Sequence, residues 1–307
     1  MGLGLSTSWN AFRSRRAEDL VGEIAALGFK EIELSFNLTA QRVEDIARLT
    51  RQQGIEIVSL HNYCPIPEGL PVAEALPDCY SLASINEEER KKAVSYTQRT
   101  IDNASALAAK AVVLHTGRVE MADVTRDLIA FYLNSGRDTE DFQRIKSTFL
   151  TERKKQAGPF FENTLRSLDE LERYARDKGI KLGIENRFYC REIPSFSELG
   201  VILDKFRGSC IHYWHDTGHA RVMENLGIVR QDEYLQAYGR DICGMHIHNV
   251  VDCRDHRAPQ AGEIDFSNLV NHLKRDTLKI IEAHHPASAA EVRKGREFLE
   301  ALFDGKP

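Results

Sequence analysis

Six residues able to bind a divalent cation or carry a proton stand at or near the ends of short β-rich runs: His61, His115, Glu185, Asp216, His246 and Glu282. Two of them end markedly apolar segments, Leu182-Gly183-Ile184-Glu185 and Lys279-Ile280-Ile281-Glu282. A carboxylate buried in such a run is costly unless it is paired or coordinated. For any one residue, a hydrogen bond to a neighbouring loop explains it as well as a metal does. The recurrence across six runs is what favours a common site. The histidines agree: ten of the eleven lie in these runs or just after them, and only His272 falls in a helical stretch.

Strand parity sorts these side chains, because alternate residues of a strand face opposite sides. His246 and His248 share a face, as do Glu185 and Arg187, and Glu282 and His284. His212, Trp214 and Asp216 share another. His215 and His285 then point away, toward packing or capping positions.

The runs that must position these groups are eight. They are Leu3 to Ser8, Glu31 to Phe36, Ile55 to Tyr63, Ala111 to Gly117, Lys181 to Arg187, Ser209 to Asp216, Ile242 to Val250 and Leu278 to His284. Their cores are nearly continuous in apolar residues, as parallel strands buried on both faces require. Helical periodicity fills the gaps. Arg16 to Leu27 carries Leu20, Val21, Ile24 and Leu27 at helix spacing and stops at Gly28. Ala40 to Gln53 before Gly54, and Leu165 to Lys178 before Gly179, repeat the pattern. Eight β–α pairs in succession predict a (β/α)8 TIM barrel, one domain over 1–307. Its active face lies where the strands end. Two connections are long: Cys64 to Asn86, rich in proline, and Arg118 to Gly158, with an apolar patch (Leu128 to Leu133) and a charged run (Glu152 to Lys155). Connections of this length serve as lids or binding loops. The second suits a contact between copies of the chain, a homo-oligomer, equally well.

At 307 residues, 42% hydrophobic and 28% charged, the chain has material for a large core and a solvated surface. A net charge of -5 argues against nucleic acid as a partner. No apolar run reaches the ~20 residues that span a bilayer, and no basic-then-apolar leader opens the sequence, so the expected location is cytoplasmic. Met-Gly-Leu-Gly-Leu-Ser fits a loose myristoylation pattern, but Gly2 runs straight into the first buried strand. The six cysteines show no CxxC spacing and read as reduced packing thiols.

The segments Ile184-Glu185-Asn186-Arg187, His215-Asp216-Thr217-Gly218-His219-Ala220, His246-Ile247-His248-Asn249 and Ile281-Glu282-Ala283-His284 together carry a resemblance. In this order they resemble the xylose isomerase-like barrels, which comprise sugar isomerases and epimerases and the apurinic endonuclease IV type of repair enzyme. The resemblance implies Glu185, Asp216, His246 and Glu282 as metal ligands and His219 as a contact to substrate or to a further metal. Gly262-Glu263-Ile264-Asp265, preceded by His256, is similar to a degraded form of a family loop, with Gln260-Ala261 where Gly-Glu is usual. Endonuclease-type members use extra zinc ligands, matched here by His61, His115, His219 and His256. Their loop aspartate is replaced by Arg254, with Asp252 and Asp255 nearby.

A site of two glutamates, an aspartate and a histidine is hard and oxygen-rich. It suits Mn²⁺ first, then Mg²⁺ or Co²⁺, with Zn²⁺ favoured if more histidines join. The implied chemistry is isomerisation or epimerisation of a keto-sugar or keto-polyol through an enediolate. Glu185 and Glu282 act as catalytic acid and base, and the substrate contacts are His219, Arg187, His61, His115, His248 and His256. The same site serves a lyase or dehydratase if a leaving group lies β to the carbanion. The competing class is a zinc-dependent phosphodiesterase acting on abasic DNA.

Overall fold

The computed structural model describes residues 2–305. In chain order the elements are β1 (Gly4–Ser6), α1 (Ala17–Ala26), β2 (Glu31–Leu34), α2 (Ala40–Gln53), β3 (Glu56–His61), α3 (Glu87–Ala106), β4 (Ala111–Leu114), α4 (Thr125–Ser135) and α5 (Glu140–Asp177). There follow β5 (Lys181–Glu185), α6 (Phe196–Lys205), β6 (Ile211–Asp216), α7 (Thr217–Asn225), α8 (Gln231–Tyr238), β7 (Ile242–Ile247), β8 (Asn249–Val251), β9 (Arg254–Arg257), β10 (Leu278–Ile281) and α9 (Ala289–Asp304). Eight strands close a parallel barrel in the order β1-β10-β7-β6-β5-β4-β3-β2, while β8 and β9 form a separate antiparallel hairpin just after β7. Each expected strand is present, shortened by a few residues at one or both ends.

Local signals set the helix ends. Thr39, Asn86 and Thr139 cap α2, α3 and α5 through their side chains, and Ser195 and Ser288 form full capping boxes with Glu198 and Glu291. The three expected stops, Gly28, Gly54 and Gly179, follow α1, α2 and α5 at φ of 83°, 63° and 70°. The connection after β3 is irregular apart from one short turn at Val72–Glu74. The long connection after β4 differs from the expected loop, since α4 occupies its middle and α5 takes up the rest. α5 runs 38 residues straight through Pro159, so the expected helix from Leu165 is only its final part. Phe142, Phe149, Arg153, Ala157, Phe160 and Thr164 are buried at helical spacing, and this stripe holds the helix together across the proline.

The core has two shells. Between strands and helices lie residues such as Leu182, Ile184, Tyr213, Met245, Ile247 and Ile281. Inside the barrel lie Val58, Ala111, Val113, Trp214, Cys243, Leu278 and Ile280. Trp214 fills the interior because glycines on both flanking strands leave room for its ring, Gly244 directly opposite and Gly183 diagonally. A Cβ at Gly183 would lie 2.8 Å from the indole, and one at Gly244 would lie 2.1 Å from it. The ring meets His246 edge-on at 5.2 Å and so forms the floor of the barrel mouth. The six cysteines are unpaired. Among the described residues no helix is long and apolar enough to cross a membrane.

Candidate metal centre

β5, β6, β7 and β10 are neighbours in the barrel wall, and each delivers one ligand-type residue to its C-terminal end. Glu185 and Asp216 end β5 and β6, His246 lies within β7, and Glu282 follows β10. All four are buried, with ligand atoms within 4.8 Å of one another. The His246 Nδ1 atom is the hub. It stands 2.7 Å from a Glu185 oxygen, 3.0 Å from Glu282 and 3.8 Å from Asp216. Three carboxylates around one imidazole nitrogen leave an excess of buried negative charge, which a divalent cation offsets. The donor set therefore fits such an ion.

The far side of His246 holds a residue that the sequence reading missed. Its Nε2 donates to Glu33 at 3.0 and 3.2 Å, and Ser59 donates to the same carboxylate at 2.8 Å. Glu33 thereby fixes the ring so that Nδ1 faces the ligands, the usual arrangement of a carboxylate behind a metal-binding histidine. The signal was available, because Glu33 is also an acid inside an apolar strand, one ladder earlier than the six candidates.

Within the site, histidines offset part of the carboxylate charge. Burial alone would raise the Glu185 carboxyl, but hydrogen bonds from His115 and His246 hold it well below the usual carboxylate range. Burial is likewise outweighed at Glu282, by the charge of His246 and by His256 and His284. The His246 ring resists charging because it is buried, yet Glu282, Glu33 and Glu185 raise its pKa well above the ordinary value.

Around this centre the structure gathers the other candidates. His115 reaches Glu185 at 2.8 Å, and His61 packs edge-on against His115 with centroids 4.8 Å apart. His61, His115 and Glu185 form a second group with metal-binding geometry that shares Glu185 with the first. His219 donates from Nδ1 to the Asn186 carbonyl at 3.0 Å, which leaves Nε2 facing the mouth. His256, at the unusual φ of 53°, lies 3.1 Å from Asp255 and stacks on His284 at 3.8 Å. Asp255 also lies 3.8 Å from His219 and so approaches the place where Arg254 breaks the family pattern; Arg254 itself points to Asp252 at the surface. Arg187 is held by Glu185 at 2.5 Å and Glu192 at 3.0 Å, with Asp78 of the proline-rich connection 3.9 Å away. Glu192 and Asp78 were not anticipated, since neither sits in a strand.

The mouth encloses about 400 Å³, with apolar walls from Phe36, Pro77, Ile129 and Phe188. Of the expected substrate contacts, His61, His115, Arg187, His219 and His256 line it, together with Glu185 and Glu282. His248 does not line it; it lies buried behind Asp216. His215 faces outward, hydrogen-bonded to the Tyr213 hydroxyl at 2.7 Å, and His285 lies exposed against Phe12.

The family model described as xylose isomerase-like TIM barrel matches residues 21–302. An uncharacterized protein of Sinorhizobium fredii is 21% identical over 246 residues, covering 78% of this chain and 69% of its own length. A D-tagatose 3-epimerase-like protein has a similar structure, with a TM-score of 0.67 and 19% identity over 99% of this chain and 97% of that one. The 3-keto-D-glucoside 4-epimerase YcjR of E. coli gives a TM-score of 0.69 and 16% identity over 98% and 99%. At such identities the structural likeness is one of fold, and fold alone does not fix chemistry.

Proposed function

We infer the activity from one premise: this chain belongs to the xylose isomerase-like TIM barrel family. On that premise we read it as a divalent-metal-dependent isomerase or epimerase of a keto-sugar or keto-polyol. The observation that carries the reading is the placement of Glu185 and Glu282. Both belong to the ligand set, both line the mouth, and β6 and β7 separate their strands, so they approach a substrate from different sides.

Glu185, Asp216, His246 and Glu282 would hold the cation. When bound, it supplies electrostatic stabilisation of the negative charge that develops on substrate oxygens as a carbon-bound proton leaves. The oxygen-rich set favours Mn²⁺, with Mg²⁺ or Co²⁺ next. In isomerisation one of Glu185 and Glu282 takes the carbon-bound proton and gives it back to the neighbouring carbon, while a hydroxyl proton passes to the former carbonyl oxygen. In epimerisation one takes the proton from one face and the other, protonated from solvent, gives a proton to the opposite face. The lone pair on His219 Nε2 accepts from a substrate hydroxyl, while His61, His115 and His256 line the sugar's remaining edge. Arg187, enclosed by Glu185, Glu192 and Asp78, keeps the Glu185 carboxylate oriented. Phe36 and Phe188 exclude water from the enediolate. The names of the structurally similar epimerases support a small carbohydrate as substrate. Elimination by the same groups follows if the substrate carries a β leaving group.

A second reading is favoured by the His61, His115 and Glu185 group, which gives room for a second ion and, with Zn²⁺, for hydrolysis of a phosphodiester at an abasic site. One experiment separates the two. A ketose panel in D₂O is expected to show metal-dependent exchange of a carbon-bound hydrogen, even where no net product accumulates. No exchange with any ketose, together with chelator-sensitive nicking of abasic duplex DNA, replaces the isomerase reading with the nuclease one.

A further inference from the structure

Asp216 is the most constrained of the four ligands. Its backbone N–H donates to the Asn186 side-chain oxygen at 2.7 Å, and its backbone carbonyl accepts from the Asn186 amide at 2.9 Å. The same Asn186 oxygen receives the Tyr213 hydroxyl at 2.9 Å, which fixes which way the amide points. One carboxylate oxygen accepts the His219 N–H at 2.7 Å, and the other lies 2.9 Å from His248 Nε2. On the opposite edge of that ring, Nδ1 accepts the backbone N–H of His256 at 2.8 Å. A nitrogen that accepts carries no proton in the neutral ring, so the proton is on Nε2 and is donated to Asp216.

The surroundings of His248 enforce this geometry. The Thr217 hydroxyl accepts from the His248 N–H at 3.1 Å and donates to its carbonyl at 2.8 Å. A Cβ on Gly218 would lie 2.1 Å from His248 Cε1, so only glycine lets the ring lie against Asp216. With both ring nitrogens engaged and no surface exposed, His248 lies behind Asp216 and not in the mouth.

We propose that Asn186 and His248 are positioning residues that act through Asp216. Asn186 locks the backbone of Asp216, and His248, its tautomer set by the His256 main chain, aims one carboxylate oxygen so that the remaining lone pairs meet the cation. Thr217 and Gly218 are in the sequence to seat His248. This rests on the reading of Asp216 as a metal ligand, so the test controls for that reading.

The measurement is Co²⁺ and Mn²⁺ affinity by chelator competition, alongside the melting temperature of the metal-free protein. His248→Gln keeps a donor near Nε2 and is expected to bind within a few-fold of the parent. His248→Phe keeps the ring volume without the donor and is expected to lose about 10- to 100-fold. Gly218→Ala, which touches no ligand, is expected to weaken binding in the same direction, and Asn186→Leu likewise. A purely structural role would lower the melting temperature of the Gln and Phe variants alike and leave metal affinity unsplit between them. Equal affinities for His248→Gln and His248→Phe, with Asp216→Asn clearly weakened, overturn the clamp while leaving the ligand reading intact. An Asp216→Asn variant that binds as tightly as the parent overturns the ligand reading and the clamp with it.

Discussion

Glu282→Gln removes a proton acceptor and weakens one cation contact while preserving shape. Turnover is expected to fall roughly 10²- to 10⁴-fold with little change in melting temperature. His272→Ala, in the short helical turn Phe266–His272, is expected to leave turnover nearly unchanged; comparable losses in both variants would place the chemistry elsewhere. His246 gives a second expectation. The surrounding carboxylates raise its pKa, so a proton competes with a cation for Nδ1. Binding should therefore release protons, and affinity should climb with pH until the raised pKa is passed. Calorimetry in buffers of different ionisation enthalpy reads this directly, and zero release contradicts it. At this scale the sequence was legible wherever an acid or histidine ended an apolar run. It was illegible where the partner came from a distant loop, as with Asp78 and Glu192, or where the role depends on ring orientation, as with His248. No spacing rule shows that both nitrogens of His248 are occupied; only the fold of the β8–β9 hairpin back over β7 does.

Among the elements, the eight strands were readable because parallel strands in a barrel are apolar on both faces. Parity turned His215 and His285 away from the mouth, where the structure has them, while it put His248 on the face of His246 without showing that it lies behind Asp216. The first half of α5 was not readable, because Gly158-Pro159 carries the local signature of a helix end, and a proline inside a helix costs about 3 kcal/mol. Tertiary burial of Phe142, Phe149 and Phe160 outweighs that local preference. The pairing of Trp214 with two glycines on flanking strands was likewise hidden, since it requires the register Trp214↔Gly244. It yields a stability prediction. Gly244→Ala forces a methyl into the indole, and the variant is expected to lose about 1–3 kcal/mol in denaturant unfolding. Because the ring underlies His246, metal affinity should fall as well. An unchanged unfolding midpoint would mean that the floor is looser than described.

In the whole molecule the four proposed ligands occupy contiguous strands β5, β6, β7 and β10, while β1 to β4 supply none of them. A cation there should raise the melting temperature in a concentration-dependent way, by about 2.7 kcal/mol of added stability at one hundred times Kd. Hydrogen exchange should slow in β5, β6, β7 and β10 more than in β2 to β4 on adding Mn²⁺; uniform slowing would argue against a site on those strands. The same distribution also sets a timetable. The ribosome delivers the amino-terminal half first, and none of the four proposed ligands lies in it. Glu282 is made last of the four and comes into place only when β10 docks between β7 and β1. On the proposed ligand set, metal loading would be a late event in the life of each chain, completed once the ring has shut, and a cell that supplies the ion would favour finished barrels over incomplete ones exposed to proteolysis.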